Sequence, residues 1–284
     1  MKKIELNSPA KINIGLNILK KRKDGYHDLE TIFYPLLLCD TISFEKSNST
    51  KLDTNSIEIN DLDSNLVINT IKLMEDELNR ELNVHVYLQK NIPISGGLGG
   101  GSSNAATTLK AINQLYNLNL SYKILSSFAL QLGSDVPYFL TSVPSYAASR
   151  GELLTRIQLS LGYPILLVNP EIHISTKWAF NKIIPGKNKS LLKTFVNKSK
   201  IDIETMKDYV TNDFEEIVFS EHPEVGNIKD KLYEYGAEFA LMTGTGSTVF
   251  GIFRNLQKAR KAEEIFSQSN YTYLNNPFEI GIIT

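Results

Sequence analysis

Apolar and polar residues alternate near the start of the chain. From residue 11 to residue 20 the apolar side chains fall on one face, at Ile12, Ile14, Leu16 and Ile18. The polar face carries Lys11 and Asn13 side by side. This period of two predicts a half-buried strand. An Asp24-Gly25 pair then predicts a turn.

Further periodic segments follow along the chain. Strands are predicted over 39–45, 84–90, 163–170, 237–242, 248–253 and 279–284, and helices over 66–82, 103–116, 122–132, 222–236 and 255–268. Asp63 or Ser64 is a candidate cap for the first helix. Ser121 and Gly133 bound the third predicted helix, and Pro223 and Gly236 bound the fourth. Residues 185–200 are polar and rich in Lys and Asn, which predicts a mobile loop or a frayed insertion.

This order of elements predicts an α+β fold in two parts. We place the first domain at 1–152 and the second at 153–284, and the last strand is a candidate to return to the first domain. The chain has 284 residues, 42% of them hydrophobic, enough to build a sizeable core.

Charge and cysteine content exclude several classes of protein. The net charge is −1, which argues against a broad grip on nucleic acid or anionic membrane. The basic run at 20–23 is short, and we interpret it as a solvated turn that could help hold one phosphorylated ligand. Cys39 is the single cysteine of the sequence, so no intramolecular disulfide forms, and its apolar context predicts a buried structural thiol. No signal peptide or run of ~20 apolar residues is seen, so we expect a cytoplasmic protein.

A glycine-rich segment joins the strand at 84–90 to the next helix. Five glycines fall within Gly96–Gly101, and Ser102 and Ser103 follow at once. Backbone amides at a helix N-terminus bind anions, and glycines let them approach closely, which predicts a phosphate site. The spacing fits neither a P-loop nor a dinucleotide fingerprint. A tight connection without a ligand stays an alternative from the residues alone.

Two glycine motifs together resemble those of the GHMP kinases, the superfamily of galactokinase, homoserine kinase, mevalonate kinase and phosphomevalonate kinase. They are PISGGLGGGSSNAA (93–106) and MTGTGSTVFGIF (242–253). One branch fits best, the one whose substrate is a cytidine diphosphate-linked methylerythritol. Its motifs resemble SPAKINIGLNILKKRKDGYHDLETIF (8–33), LGSDVPYFL (132–140) and NDFE (212–215).

The resemblance implies a fold and a reaction. The fold would combine an N-terminal domain like domain 2 of ribosomal protein S5 with a ferredoxin-like C-terminal domain, and ATP and substrate would meet between them. The reaction would transfer the γ-phosphoryl group of ATP, with Mg²⁺, to the C2 hydroxyl of the substrate, in the non-mevalonate route to isoprenoid precursors. No nucleic acid, membrane or obligate protein partner is expected.

The resemblance also implies roles for single residues. Asp135 would accept the hydroxyl proton and Lys11 would stabilise charge beside it. ATP would be bound by Asn65, Pro93, Gly96, Gly97, Leu98, Gly99, Gly100, Gly101, Ser102 and Ser103. The substrate would be bound by Asn13, Tyr26, His27, Phe180, Gly244, Thr245 and Gly246. Ser103 is the candidate Mg²⁺ ligand, and Trp178 is an alternative to Phe180 as the second aromatic wall.

Each role has a plainer alternative. Asp135 could cap a turn, Lys11 could be an exposed strand lysine, and His27 a surface turn residue. The superfamily also leaves open another small alcohol, such as mevalonate, homoserine or a sugar, and a non-catalytic nucleotide- or RNA-binding module is a further alternative.

Three residues depart from the branch's usual pattern. Gly96 stands where Ala is common, Asn104 where Asp is common, and Ser149 where Gly is usual. If residue 149 needs a positive φ, Ser149 is strained.

Overall fold

The computed structural model describes residues 3–56, 65–186, 191–198 and 202–277. Its strands are β1 (Lys3–Lys21), β2 (His27–Lys46), β3 (Lys51–Thr54), β4 (Val84–Gln89), β5 (Ser145–Ala148), β6 (Leu153–Arg156), β7 (Ile165–Asn169), β8 (Phe239–Met242), β9 (Val249–Ile252) and β10 (Tyr271–Asn275). Its α-helices are α1 (Leu66–Leu78), α2 (Gly100–Leu115), α3 (Tyr122–Leu132), α4 (Val136–Phe139), α5 (Thr176–Lys182), α6 (Ile203–Tyr209), α7 (Glu215–Glu221), α8 (Pro223–Glu234) and α9 (Leu256–Phe266), with a 3₁₀ turn at Leu192–Phe195.

The chain divides into two compact units that alternate along the sequence. The first unit contains Met1–Lys11, Pro35–Ile92 and Gly99–Ser142, and the second contains Ile12–Tyr34, Pro93–Leu98 and Val143–Thr284. Strands β1 and β2, which pair with each other, therefore contribute residues to both units. The domain boundary predicted at residue 152 stays a prediction.

The first unit combines a small sheet with the helices α1 to α4. The second half of β2 pairs antiparallel with β4, with Thr41 opposite Gln89, and β3 pairs parallel with β4. Helix α2 packs against α1, α3 and α4 and is buried along most of its length. This burial fixes the helix whose N-terminus follows the glycine segment.

In the second unit the strand order β10-β7-β9-β8 forms an antiparallel sheet. Helices α8 and α9 pack on it. Their apolar side chains join a core with Leu166, Val168 and Met242 from the sheet and Leu16 and Ile18 from β1. The first half of β2 pairs with β5, which pairs with β6. The predicted α+β class is confirmed.

Predicted helix ends agree with the structure where capping residues marked them. Ser121 caps α3 by accepting a hydrogen bond from the amide of Ile124, and Gly133 is its C-cap. Helix α2, by contrast, begins at Gly100, three residues before the prediction. The first helix is capped by Asn65, and the candidate caps at 63 and 64 lie outside the described residues.

The prediction for β1 is wrong in one respect. The strand was expected to be half-buried, but Lys11, Asn13 and Asn17 on its polar face are also buried. The polar face is covered by parts of the chain far away in sequence, as the contacts of the site show. Cys39 is half-buried rather than fully buried, and desolvation raises the pKa of its thiol to about 11, so the thiol stays protonated at neutral pH.

The segment at 185–200 is only partly described. Leu192 and Phe195 of its 3₁₀ turn are fully buried, which a mobile loop would not produce. Residues 187–190 and 199–200, and the strand predicted at 279–284, lie outside the described residues. Within the described ranges, no helix has the length and apolar character that crossing a membrane requires.

Candidate active site

Lys11 and Asp135 form an ion pair within the first unit. Lys11 comes from β1, Asp135 precedes α4, and 3.7 Å separates Lys11 Nζ from Asp135 Oδ2. The lysine side chain is 4% exposed and the aspartate side chain 36%. Burial lowers the pKa of Lys11, and the Asp135 carboxylate opposes that shift in part. A buried cation beside a partly open carboxylate can stabilise an anion and accept a proton.

Gly99 makes room for this pair. A Cβ atom at residue 99 would lie 2.7 Å from the ring of Phe139 and 3.1 Å from Lys11 Cε, and the backbone there has a φ of +72°. Both facts require glycine. One glycine of the segment therefore serves packing against the chain itself, next to the ion pair.

The N-terminus of α2 is open to an anion. Its N-cap, Gly99, makes no side-chain capping bond, and the first turn has no acidic residue, as far as the described chain shows. The first amides of a helix lack partners inside the helix and lie at the positive end of its dipole. Gly101 is exposed and Ser102 half-buried, so this turn can be reached from solvent. The geometry suits the predicted phosphate site.

Ser103 differs from its neighbour. It is fully buried, and its Oγ lies 2.8 Å from the Oγ of Ser8, which is also 2.8 Å from Asn104 Oδ1. To bind Mg²⁺, the Ser103 hydroxyl would have to use its second lone pair, and the ion would have to reach a fully buried oxygen. Among the described residues no group of three or more His, Cys, Asp or Glu side chains could hold a metal ion.

Asn65 has an evident local role. Its Oδ1 accepts a hydrogen bond of 2.8 Å from the amide of Val67 and so caps α1. The next residue, Leu66, is the nearest neighbour of a Cβ placed at Gly101, at 3.5 Å. The start of α1 thus lies beside the start of α2. The predicted ATP contact of Asn65 stays a prediction that this placement supports.

In the second unit two glycine segments pack tightly on each other. They are 93–98, with Leu98 buried, and the turn 243–248 between β8 and β9. A Cβ at Gly97 would lie 2.3 Å from the carbonyl oxygen of Thr243. A Cβ at Gly96 would lie 2.5 Å from Asn169 Nδ2. These glycines therefore allow contact within the protein as well as with a ligand, as the resemblance implied for the turn at 242–253.

Asn212 holds the turn that carries Gly244, Thr245 and Gly246. Its Nδ2 donates to the carbonyls of Met242, at 2.7 Å, and Gly244, at 2.8 Å. Its Oδ1 accepts from the amide of Phe214 at 3.0 Å. Thr245 Oγ1 lies 3.3 Å from Thr176 Oγ1. The NDFE motif was matched from sequence, but this positioning role was missed because a motif does not show what it contacts.

Asn13 is bonded inside the protein. Its Nδ2 donates to Thr31 Oγ1 at 2.8 Å, and its backbone amide donates to Thr243 Oγ1 at 2.9 Å. These bonds join β1 to β2 and to the turn at 243–248. Thr243 was also missed from sequence, although it adjoins the predicted Gly244. A direct bond from Asn13 to substrate stays a prediction, and it would compete with these contacts.

Three aromatic residues, Tyr26, His27 and Phe180, were predicted to bind the base. Tyr26 is 53% exposed, while His27 is buried and its ring centroid lies 5.4 Å from that of Phe180. Burial and the nearby Lys21 lower the pKa of His27, which favours the neutral ring. Trp178 instead contacts His222. Phe180 is therefore better placed than Trp178 to act with His27.

Comparison with known proteins gives the family of the chain. The GHMP kinases N terminal domain matches residues 65–142, and the GHMP kinases C terminal domain matches residues 191–272. A curated relative from Bacteroides fragilis, the "4-diphosphocytidyl-2-C-methyl-D-erythritol kinase", is 40% identical over 260 residues, which is 89% of this chain and 93% of the relative.

Solved structures are similar to this chain in fold. A crystal structure of a 4-(cytidine 5'-diphospho)-2C-methyl-D-erythritol kinase has a TM-score of 0.79 and 28% identity, covering 95% of this chain and 98% of that one. Homoserine kinase from Cytophaga hutchinsonii has a TM-score of 0.72 at 17% identity, covering 97% and 95%, which shows a shared fold alone. The predicted two-domain fold is confirmed.

Proposed function

We propose a specific kinase activity for this chain. The chain belongs to the 4-diphosphocytidyl-2-C-methyl-D-erythritol kinase family within the GHMP kinases. The activity is phosphorylation by ATP of the C2 hydroxyl of 4-diphosphocytidyl-2-C-methyl-D-erythritol, giving the 2-phosphate and ADP for isoprenoid precursor synthesis. Similarity to kinases of that name over nine-tenths of the chain supports the substrate. The Lys11–Asp135 pair is the observation that carries the chemistry.

We assign the chemical step to that pair. Asp135 takes the proton of the C2 hydroxyl while the oxygen of that hydroxyl forms a bond to the γ-phosphorus of ATP. The bond from the γ-phosphorus to the β–γ bridging oxygen breaks, which releases ADP. Phosphoryl transfer depends mainly on positioning and charge stabilisation. Lys11, whose side chain is almost fully buried, stabilises the developing negative charge more strongly than a solvated lysine would.

The N-terminus of α2 supports ATP binding. The amides of its first turn, at Gly100, Gly101 and Ser102, are suited to phosphate oxygens. Mg²⁺ in such sites is held largely by phosphate oxygens and water, and it neutralises phosphate charge. The half-buried Ser102 and the partly open Asp135 fit such a complex, and Ser103 as a ligand stays a prediction.

The exposed ring of Tyr26 and the neighbouring His27 support recognition of cytosine. Tyr26 offers an exposed ring for stacking, which is worth ~1–3 kcal/mol for a nucleobase. A neutral His27 can both donate and accept a hydrogen bond. Mevalonate and homoserine have no base to stack on, and the close relatives do not favour those substrates. A cytoplasmic location stays a prediction.

An ADP-release assay with Mg-ATP tests the proposal. It compares 4-diphosphocytidyl-2-C-methyl-D-erythritol with the same polyol phosphate lacking cytidine, and we expect turnover only with the first. Asp135→Asn should lower kcat by at least about a thousandfold while ATP binding survives. The matched control is Asp230→Asn, on the exposed surface of α8. Full activity of Asp135→Asn would refute the mechanism.

A further inference from the structure

A polar network joins the turn that carries Tyr26 to the turn at 148–152. Arg22 Nη1 donates to Ser149 Oγ at 2.9 Å, and Ser149 Oγ donates to Glu152 Oε1 at 3.0 Å. The amide of Leu29 donates to the carbonyl of Ser149 at 2.7 Å. All of these residues belong to the second unit.

Ser149 adopts a conformation that suits glycine. Its φ is +63°, in the left-handed region, where the Cβ of an ordinary residue is disfavoured. The condition under which the sequence predicts strain at Ser149 is therefore met. A glycine would satisfy the backbone without strain, but it would supply no hydroxyl to join Arg22 and Glu152. Ser149 thus combines an unfavourable backbone with two side-chain hydrogen bonds.

The same network fixes the turn of Tyr26. Arg22 contacts both Asp24, at 3.0 Å, and Asp28, at 3.0 Å. The amide of Arg22 donates to the carbonyl of Tyr26 at 2.7 Å, and the amide of Tyr26 donates to Asp24 Oδ1 at 3.1 Å. The carbonyl and the amide of Tyr26 are therefore both held by hydrogen bonds, one to Arg22 and one to Asp24.

Arg150 covers one face of the Tyr26 ring. Its guanidinium carbon lies 4.6 Å from the ring centroid, within the range of a cation–π contact. Glu152 holds the backbone of Arg150, because its Oε2 accepts from the Arg150 amide at 2.7 Å. Tyr26 nevertheless stays 53% exposed, so the ring has surface left for a second partner.

We propose that Arg150 and Tyr26 form a preassembled stack for the cytosine base, with Arg150 on one ring face and the base on the other. Arg150 acts through the Tyr26 ring in this arrangement, so it is a positioning residue, as are Ser149, Arg22 and Glu152. The proposal rests on the proposed function, since it deepens the recognition of the cytidine part. Preorganisation of this kind improves affinity by reducing the ordering that binding requires.

Calorimetric titration with CDP tests the stack apart from turnover, and ADP titration serves as the control ligand. Arg150→Met keeps a side chain of similar length without charge, and we expect it to weaken CDP binding about two- to five-fold. Arg150→Lys should restore most of the affinity. Binding of ADP should not change. Arg254→Met is the matched control, because Arg254 pairs with Glu204 and Glu238 rather than with the stack.

Ser149→Gly separates positioning from stability. Because it relieves the positive φ, we expect a Tm equal to or above that of the wild type, whereas the Kd for CDP and the KM for the cytidine substrate rise by a comparable two- to five-fold. The kcat should change less than the KM. Ser142→Gly relieves a similar φ of +48° elsewhere and should leave CDP binding unchanged.

The outcomes distinguish the two proposals. Wild-type protein that binds CDP, with Arg150→Met and Ser149→Gly binding it equally well, would overturn the preassembled stack and leave the kinase assignment standing. Equal affinity of Arg150→Met and Arg150→Lys would overturn the role of the charge. Wild-type protein that binds ADP but not CDP would overturn the recognition of cytidine and the stack with it.

Discussion

Substitution of two glycines in one segment distinguishes packing within the protein from access for a ligand. Gly97 has a φ of +74°, and a Cβ there would lie 2.3 Å from the carbonyl oxygen of Thr243. Gly101 lies in the first turn of α2 and is exposed, and among the described residues a Cβ there would meet only Leu66 Cδ1, at an ordinary 3.5 Å. Gly97→Ala and Gly101→Ala should therefore behave differently.

The free-energy changes follow from these distances. In Gly97→Ala the left-handed backbone costs about 1–2 kcal/mol. The displacement of a backbone carbonyl adds about 1–3 kcal/mol, so the free energy of unfolding should fall by roughly 2–5 kcal/mol. In Gly101→Ala the protein gains helix propensity, by up to about 1 kcal/mol.

Thermal unfolding and ATP titration measure both effects. Gly97→Ala should lower the Tm by roughly 10 °C, at about 2–4 °C for each kcal/mol. Gly101→Ala should keep or raise the Tm but weaken ATP binding about tenfold, or ~1.4 kcal/mol, because it adds a methyl group to the exposed first turn whose amides we propose to bind phosphate oxygens.

A third variant isolates backbone strain from the clash. Gly25 has a φ of +86°, and in the part of the chain that the structure describes a Cβ there would have no neighbour within 4 Å. Gly25→Ala should therefore cost only the strain, about 1–2 kcal/mol. If Gly97→Ala unfolds at the wild-type temperature, the packing argument is refuted. If Gly101→Ala binds ATP normally, the phosphate site is not at the first turn of α2.

Three more predictions concern buried polar groups. Asp40→Asn should lower the free energy of unfolding by about 3–5 kcal/mol in urea titration, because it removes the carboxylate that lies 2.6 Å from the buried Lys90 Nζ and leaves that charge without its partner. Adding Lys90→Met should restore part of the lost stability. Asn212→Ala should lower the free energy of unfolding by about 2–4 kcal/mol and raise the KM, because the carbonyls of Met242 and Gly244 lose their donor. An unchanged KM would contradict the positioning role of Asn212. Burial depresses the pKa of His27 below 6.5, so as the pH falls this histidine takes up a proton in the unfolded chain before it does so in the folded protein. The wild type should therefore lose stability relative to His27→Gln below about pH 6.5. Parallel pH profiles of Tm for the two proteins would contradict this.

Local signals predicted much of the secondary structure. The caps at Ser121 and Gly133 located α3 to the residue, because capping depends on side chains adjacent to the helix. Short elements without such signals, such as α4 and β10, were not predicted. Helix α2 begins earlier than predicted because Gly100 and Gly101 have poor helix propensity, which packing against α1 overcomes.

The roles of the glycines could not be read from their spacing. The sequence predicted that the bare backbone serves a phosphate, yet Gly96 and Gly97 pack against Asn169 and Thr243. These partners are more than 70 residues away in sequence. A glycine that faces a ligand and one that faces the chain have the same local pattern, so only the fold distinguishes them.

The polar face of β1 shows the same limit within each of the two units. Alternation correctly placed Lys11 and Asn13 on one face, but it does not say what covers that face. Lys11 meets Asp135, and Asn13 meets Thr243, at separations of more than a hundred residues. Burial depresses the pKa of Lys11, and a polar residue is retained at such a cost only where its partners satisfy it or its chemistry is used. A strand that buries its polar face therefore marks candidate catalytic groups more sharply than any of its residues does alone.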